Sequence, residues 1–443
     1  MKTPICDFIE KYAQNDNIRL HMPGHKGEGG DIYKHDITEI SGADSLYSAN
    51  GIIRESELIA STLFDADTYY SAEGSSLSIR AMIYLLTLYK GRKPRILAGR
   101  NAHKAFVSAL ALLDAEVDWL SDDCSSYLSC QFSTKSVAAH LDAMPSLPDA
   151  VYITSPDYLG NISDIRGVAD ACHERGVLLL VDNAHGAYLA FLEKTMHPIA
   201  LGADMCCDSA HKTLPALTGA AYLHISKNAP PVFSENAKNA LALFGSTSPS
   251  YLILESLDRV NAYLNGSYKQ ELNALLDKLD ALKSELKGIG YTLVGDEPMK
   301  LTISAKEYGY TGNELARYLE ENGIIAEFSD PDFLVLMPTP SLNTVSFDRL
   351  LKVLSDLPKR EKILTSPPKL LLPKRAMTVR EATLSACEWI SVSEAEGRIL
   401  ASVTVGCPPA VPIAVCGEII DSRAIECFRY YGIAKCSVVK QQL

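Results

Sequence analysis

The sequence predicts an α/β protein built on a mixed, mostly parallel sheet, with smaller α+β domains toward its carboxyl end. Three observations carry this. Short apolar runs of strand length alternate with helix-length runs from about residue 68 onward. Several of those runs, VLLLV at 177–181 among them, are apolar on both faces, as strands covered on both sides are. After about residue 250 the alternation gives way to a long helical stretch and then to short mixed elements.

The elements follow in order. Ile5, Phe8, Ile9 and Tyr12 recur at helical spacing, which predicts an amphipathic helix within an amino-terminal arm, residues 1–40. A major domain spans 41–265. In it a helix runs from Gly74 through SLSIRAMIYLLTLYK to Gly91, and the strand RILAG (95–99) follows. The helix HKAFVSALALLDA, the strands EVDWL and VYITSP, and the helix SDIRGVADACHERG come next. VLLLVDN, ADMCCDSA and GAAYLHIS complete the strands. Leucines at three- and four-residue spacing make 252–286 one long helical stretch, able to bridge domains. A small α+β domain is expected over 266–365. LTSPPKLLLPKR (364–375) reads as an extended linker, and a compact, strand-rich subdomain fills 366–443.

With 443 residues, the chain is too long for one core. A net charge of −12 repels nucleic acid and anionic lipid, and aromatics do not interleave with basic clusters. No apolar run approaches the length of a membrane span. A small-molecule substrate is expected, with neither nucleic acid nor membrane as partner. The 11 cysteines are scattered and form no C-x-x-C pair, and the first residues carry no leader pattern. These features predict a cytoplasmic protein without disulfides or zinc. His21 and His25 are four apart, but Pro23 and Gly24 lie between them, so a loop built for packing or for a subunit contact is expected and no metal.

Ligands of open parallel sheets sit beyond the carboxyl ends of the strands. Asn101, His103 and Lys104 follow RILAG, and Asp157 follows VYITSP. Asp182 ends VLLLVDN with His185 just after it, and Ser209, His211 and Lys212 follow ADMCCD. Asp182 and Lys212 are 30 residues apart on neighbouring strand ends. A lysine amine forms a Schiff base with an aldehyde cofactor, and a carboxylate keeps a pyridine nitrogen protonated. The pair therefore points to pyridoxal phosphate (PLP), with Lys212 as catalytic lysine. Gly74, Ser75 and Ser76 open a helix, where backbone N–H groups and the helix dipole hold a phosphate. Decarboxylases, aminotransferases and lyases all share such an Asp–Lys pair.

At these residues the chain resembles the ornithine/lysine/arginine decarboxylases in their short form. LHMPGHKGEGG (20–30) is similar to that family's HxPGHK loop, GSS (74–76) to its phosphate loop, and RNAHK (100–104) to its R-N-x-H-K block. SPDYLGNISDI, DNAHGAY and SAHKTLPALTGAA match further blocks in order, and PPAVPIAVCGEII (408–420) resembles the carboxyl-terminal block. The resemblance implies the PLP fold type I (aspartate-aminotransferase-like). It also implies decarboxylation of arginine, lysine or ornithine to an amine of polyamine metabolism, with arginine favoured, by a homodimer or larger homo-oligomer. It assigns Lys212 the Schiff base, Asp182 the ring nitrogen, and His103 a place stacked on the ring. His185 lies near the ring hydroxyl and imine; in the mechanism this predicts, Lys212 or His211 donates the proton to Cα. Ser75, Ser76, Ser209 and His211 hold or flank the phosphate. A cationic substrate entering a buried site needs a carboxylate, and Glu418 is expected to supply it, with Asp44 or Glu73 next in line. Glu73, Ile79, Cys407, Ala410 and Cys416 depart from the family's usual residues. Another fold type I enzyme, or a catalytically weak regulatory homologue, is the alternative they leave.

Overall fold

A computed structural model of the chain describes residues 2–120, 124–369, 372–402 and 412–441. Cys407 and Ala410 lie outside the described residues. The chain divides into two compact units. The first takes Met1–Ile96, Leu141–Tyr152 and Ile165–Lys269, and the second Leu97–His140, Ile153–Asp164 and Gln270–Leu443.

The sheet strands are β1 (Asp67–Ser71), β2 (Arg95–Gly99), β3 (Glu116–Leu120), β4 (Ala150–Thr154), β5 (Leu178–Asp182), β6 (Met205–Asp208) and β7 (Ala221–Ile225). In the first unit they lie in the order β1-β7-β6-β5-β4, part of a seven-stranded sheet. β5 and β6 are parallel, with Asp182 opposite Cys207. β7 runs antiparallel to both of its neighbours, β6 and β1, so the sheet is mixed as expected. β4, β5, β6 and β7 are buried almost throughout, which accounts for their unbroken apolar character.

The amino-terminal helix α1 (Pro4–Gln14) starts on Pro4, where the missing N–H is no loss. It buries Ile5, Cys6 and Ile9. Its next two N–H groups, of Ile5 and Cys6, donate to Asp258 Oδ2 at 2.9 and 3.0 Å. Helix α2 (Ser75–Lys90) starts at Gly74 and stops at Gly91, a left-handed glycine that ends a helix without a Cβ penalty. In the second unit α3 (Lys104–Leu113) follows β2.

Three expectations are corrected. The stretch 252–286 is two helices, α4 (Tyr251–Asn265) and α5 (Tyr268–Ile289). Gly266, at φ −96° and ψ −114°, leaves helical geometry between them, at the least costly residue for doing so. Among its described residues the terminal segment is less strand-rich than predicted. It pairs Cys387–Ser391 with Lys435–Val439 and places helices at Val379–Leu384 and Ser422–Tyr430. Val392, Leu400, Ile420, Ile425, Phe428 and Val438 build its core. Finally, Cys130 is disulfide-bonded, against the expectation of thiols alone. Cys206 and Cys207 are free and buried, as predicted.

Candidate active site

In the first unit the predicted residues gather where β5 and β6 end. Asp182 is the last residue of β5, and Lys212 and His211 sit on a single turn, Ala210–Thr213, directly after β6. Lys212 Nζ lies 3.0 Å from His185 Nε2. Ser209 Oγ donates to Ser75 Oγ at 2.8 Å, so the turn bearing the lysine touches the first residue of α2. Gly74 takes φ +73°, and a Cβ there would meet nothing nearer than Ser76 N at 4.0 Å. The open side of this glycine therefore leaves the start of α2 approachable. Gly74 N–H donates to Gly219 O (2.7 Å) and Ser71 Oγ to Gly74 O (2.9 Å), which fix the loop. His211 Nδ1 faces Ala220 O at 2.9 Å; a carbonyl only accepts, so Nδ1 is the donor in this contact.

Asp182 is 2% exposed and forms no ion pair among the described residues. Three donors hold it. Ala184 N–H (3.2 Å) and the Cys207 thiol (3.6 Å) reach Oδ1, and the Tyr152 hydroxyl (3.3 Å) reaches Oδ2. Burial, and then the Asp182 charge, push the Tyr152 phenol and the Cys207 thiol well above their usual pKa values, so both stay protonated and donate. Neither residue stands out in the sequence, because a Tyr or Cys in an apolar strand reads as core.

His103 and Glu418 belong to the second unit. His103 caps α3, its Nδ1 accepting from Ala105 N–H at 3.2 Å. Glu418 corrects the expectation of a carboxylate waiting for a cationic substrate. It is 4% exposed, and its two oxygens take the Arg100 Nη1 and Nη2 donors at 2.7 Å each. Val415 N–H adds a third bond at 2.8 Å. The carboxylate is engaged by an internal cation. Of the fallback residues, Asp44 accepts backbone N–H groups from Ser45, Asn50, Gly51 and Ile53, and Glu73 accepts from Ser246 N–H.

One polar cluster was not legible in the sequence. His197, Asp208 and His224 are buried, with ligand-type atoms all within 4.8 Å of one another. Both Nε2 atoms face Asp208 Oδ2, at 3.0 and 3.2 Å, and Asn183 Nδ2 donates to Oδ1 at 2.7 Å. Burial would raise the Asp208 pKa, but the facing imidazoles outweigh it and hold the carboxyl well below its usual range. Hydrogen bonding accounts for these contacts without an ion. His21 and His25 take separate partners, Tyr12 (2.6 Å) and Asp36 (3.1 Å).

Residues 3–292 match the family model of the Orn/Lys/Arg decarboxylase major domain, and residues 360–438 match that family's C-terminal domain. The chain is 29% identical to an arginine decarboxylase of Bacillus subtilis, over 96% of this chain and 92% of that one. It is also 29% identical to an arginine decarboxylase of Halalkalibacterium halodurans, over 97% and 93%. The Escherichia coli constitutive lysine decarboxylase superposes with a TM-score of 0.78 at 19% identity, over 99% of this chain and 82% of that one. A NifS-like protein superposes at 0.55 and 14% identity, over 70% and 90%. The likeness to the solved structures shows the fold, PLP fold type I. The two family models together span most of the sequence, and the chain belongs to the Orn/Lys/Arg decarboxylase family of PLP-dependent enzymes.

Proposed function

We propose that the protein decarboxylates a basic L-amino acid, arginine before lysine or ornithine, with PLP held at the β5–β6 strand ends. The carrying observation is the pairing of Lys212 Nζ with His185 Nε2 at 3.0 Å, in the same unit as a buried Asp182 that forms no ion pair among the described residues. The residues fit the cofactor. A buried carboxylate suits a protonated ring nitrogen, and the open Gly74 with the Ser75–Ser209 hydroxyl pair suits a phosphate at a helix start. Bound there, PLP supplies an electron-accepting ring that takes up the pair left as CO2 departs.

The chain's own residues do the rest. Lys212 must lose a proton to act as a nucleophile, and His185 Nε2 is within reach of it. Asp182, nearly excluded from water, is held in place by its three donors. His103 is assigned the ring face on the resemblance of its block, and Lys212 or His211 returns the proton to Cα. Ser75, Ser76 and Ser209 are assigned the phosphate. A homodimer and a place in polyamine metabolism follow from the same resemblance, and the two arginine decarboxylases favour arginine as substrate.

The test is CO2 release from L-arginine, L-lysine and L-ornithine by purified protein. Arginine should give the highest kcat/KM, with an amine and no keto acid as product. Borohydride reduction should attach the cofactor to Lys212, and Lys212→Ala should abolish turnover while the fold persists. Attachment at Lys104, or a keto acid as product, would defeat the reading.

A further inference from the structure

The donors around Asp182 have a pattern of their own. β4 carries Tyr152, β5 ends on Asp182, and β6 carries Cys207 directly opposite it in parallel register. One phenol and one thiol thus converge on the carboxylate, one on each oxygen, at 3.3 and 3.6 Å. Tyr152 is fully buried, as is Cys207, so water cannot take over either contact. Isolated charges are strongly disfavoured in such a setting, and donors to the ionised form are what retain it.

We infer that Tyr152 and Cys207 are positioning residues for the ring-nitrogen contact, holding the Asp182 carboxylate ionised and aimed. The inference rests on the PLP reading above. A carboxylate and a pyridine nitrogen in contact share one proton. Donors on the carboxylate favour the ion pair, with the proton on nitrogen. Remove a donor, and the buried charge becomes costlier, so the proton moves toward the carboxylate. The ring then accepts electrons less readily, although nothing touching the ring has changed. Tyr152→Phe deletes the hydroxyl and keeps the shape. Cys207→Ala deletes the thiol donor, and Cys207→Ser restores a donor of similar size.

The experiment reconstitutes the holoenzyme with PLP carrying 15N in the ring and reads the 15N chemical shift, with kcat, KM and melting temperature alongside. Wild type should show a protonated nitrogen and Asp182→Asn an unprotonated one. Tyr152→Phe and Cys207→Ala should fall between them, with kcat lowered about tenfold each and KM little changed, and Cys207→Ser should move back toward wild type. A wild-type nitrogen signal in both Tyr152→Phe and Cys207→Ala, with only the melting temperature lowered, overturns the inference and leaves these residues as core. If Tyr152→Phe does not fold, the Cys207 pair decides alone. A wild-type signal in Asp182→Asn means that Asp182 is not the ring partner; the site reading then fails, and this inference with it.

Discussion

Arg100 is fully buried, and its guanidinium lies between the Glu418 carboxylate and the Trp119 ring, 5.1 Å from the ring centroid. Breaking such a pair leaves one charge stranded in the core, at about 3–5 kcal/mol. Glu418→Gln should therefore lose about that much in urea unfolding. An Arg100→Met/Glu418→Leu double variant should recover much of it, since the pair's desolvation penalty goes too. Glu418→Gln that folds should keep its KM for the amino acid; a KM raised tenfold at unchanged stability would restore the substrate role. The two residues stand 318 positions apart, so no local pattern could pair them. Lys212, Asp182 and His185 were legible because each lies at, or a few positions past, the end of a strand that the apolar pattern defines.

Elements were legible where one period dominates. α2 lies between two glycines visible in the sequence, and β5 is an apolar run that needed no interpretation. The α4–α5 break was missed because Leu264, Tyr268 and Leu272 keep a four-residue apolar spacing across Gly266. In the second unit, the turn before the strand Phe333–Leu336 offers a test of pH dependence. Asp330 Oδ1 accepts the N–H groups of Asp332 (2.7 Å) and Phe333 (2.6 Å), while Oδ2 is buried without a partner. Burial raises its pKa to about 6. The folded state thus binds this proton more tightly than the unfolded chain. Its stabilising contribution is complete below the unfolded value of about 4 and lost as pH rises through about 6, an effect of up to about 3 kcal/mol. Asp330→Asn should then be more stable than wild type at pH 8 in thermal unfolding, with the gap closing by pH 4. A gap independent of pH would refute the assignment.

The whole molecule leaves large apolar side chains uncovered in the amino-terminal arm: Ile18 is 88% exposed, Leu20 89% and Met22 59%. Exposed residues of this size side by side mark a contact surface. In the homodimer proposed above, a second copy of the chain is the expected cover. Ile18→Glu/Leu20→Glu should reduce the mass seen in sedimentation from dimer to monomer while leaving the circular dichroism unchanged; a dimer of undiminished strength would locate the interface elsewhere. The arm's helix was legible from periodicity, whereas the residues after it follow no period that says what covers them.

β6 has a further consequence. Cys206 and Asp208 face the two imidazoles, while Cys207 faces Asp182. The strand therefore carries two incompatible messages on its two sides, a charge for one and a thiol for the other. A slip of one residue in one direction would bury Asp208 against Asp182, and in the other would leave the two histidines facing Cys207. Sliding is thus penalised at every step, and the lysine four residues beyond the strand inherits a fixed address. Insertions or deletions within Met205–Asp208 should be among the least tolerated in the chain, even where the replacement residues are equally apolar.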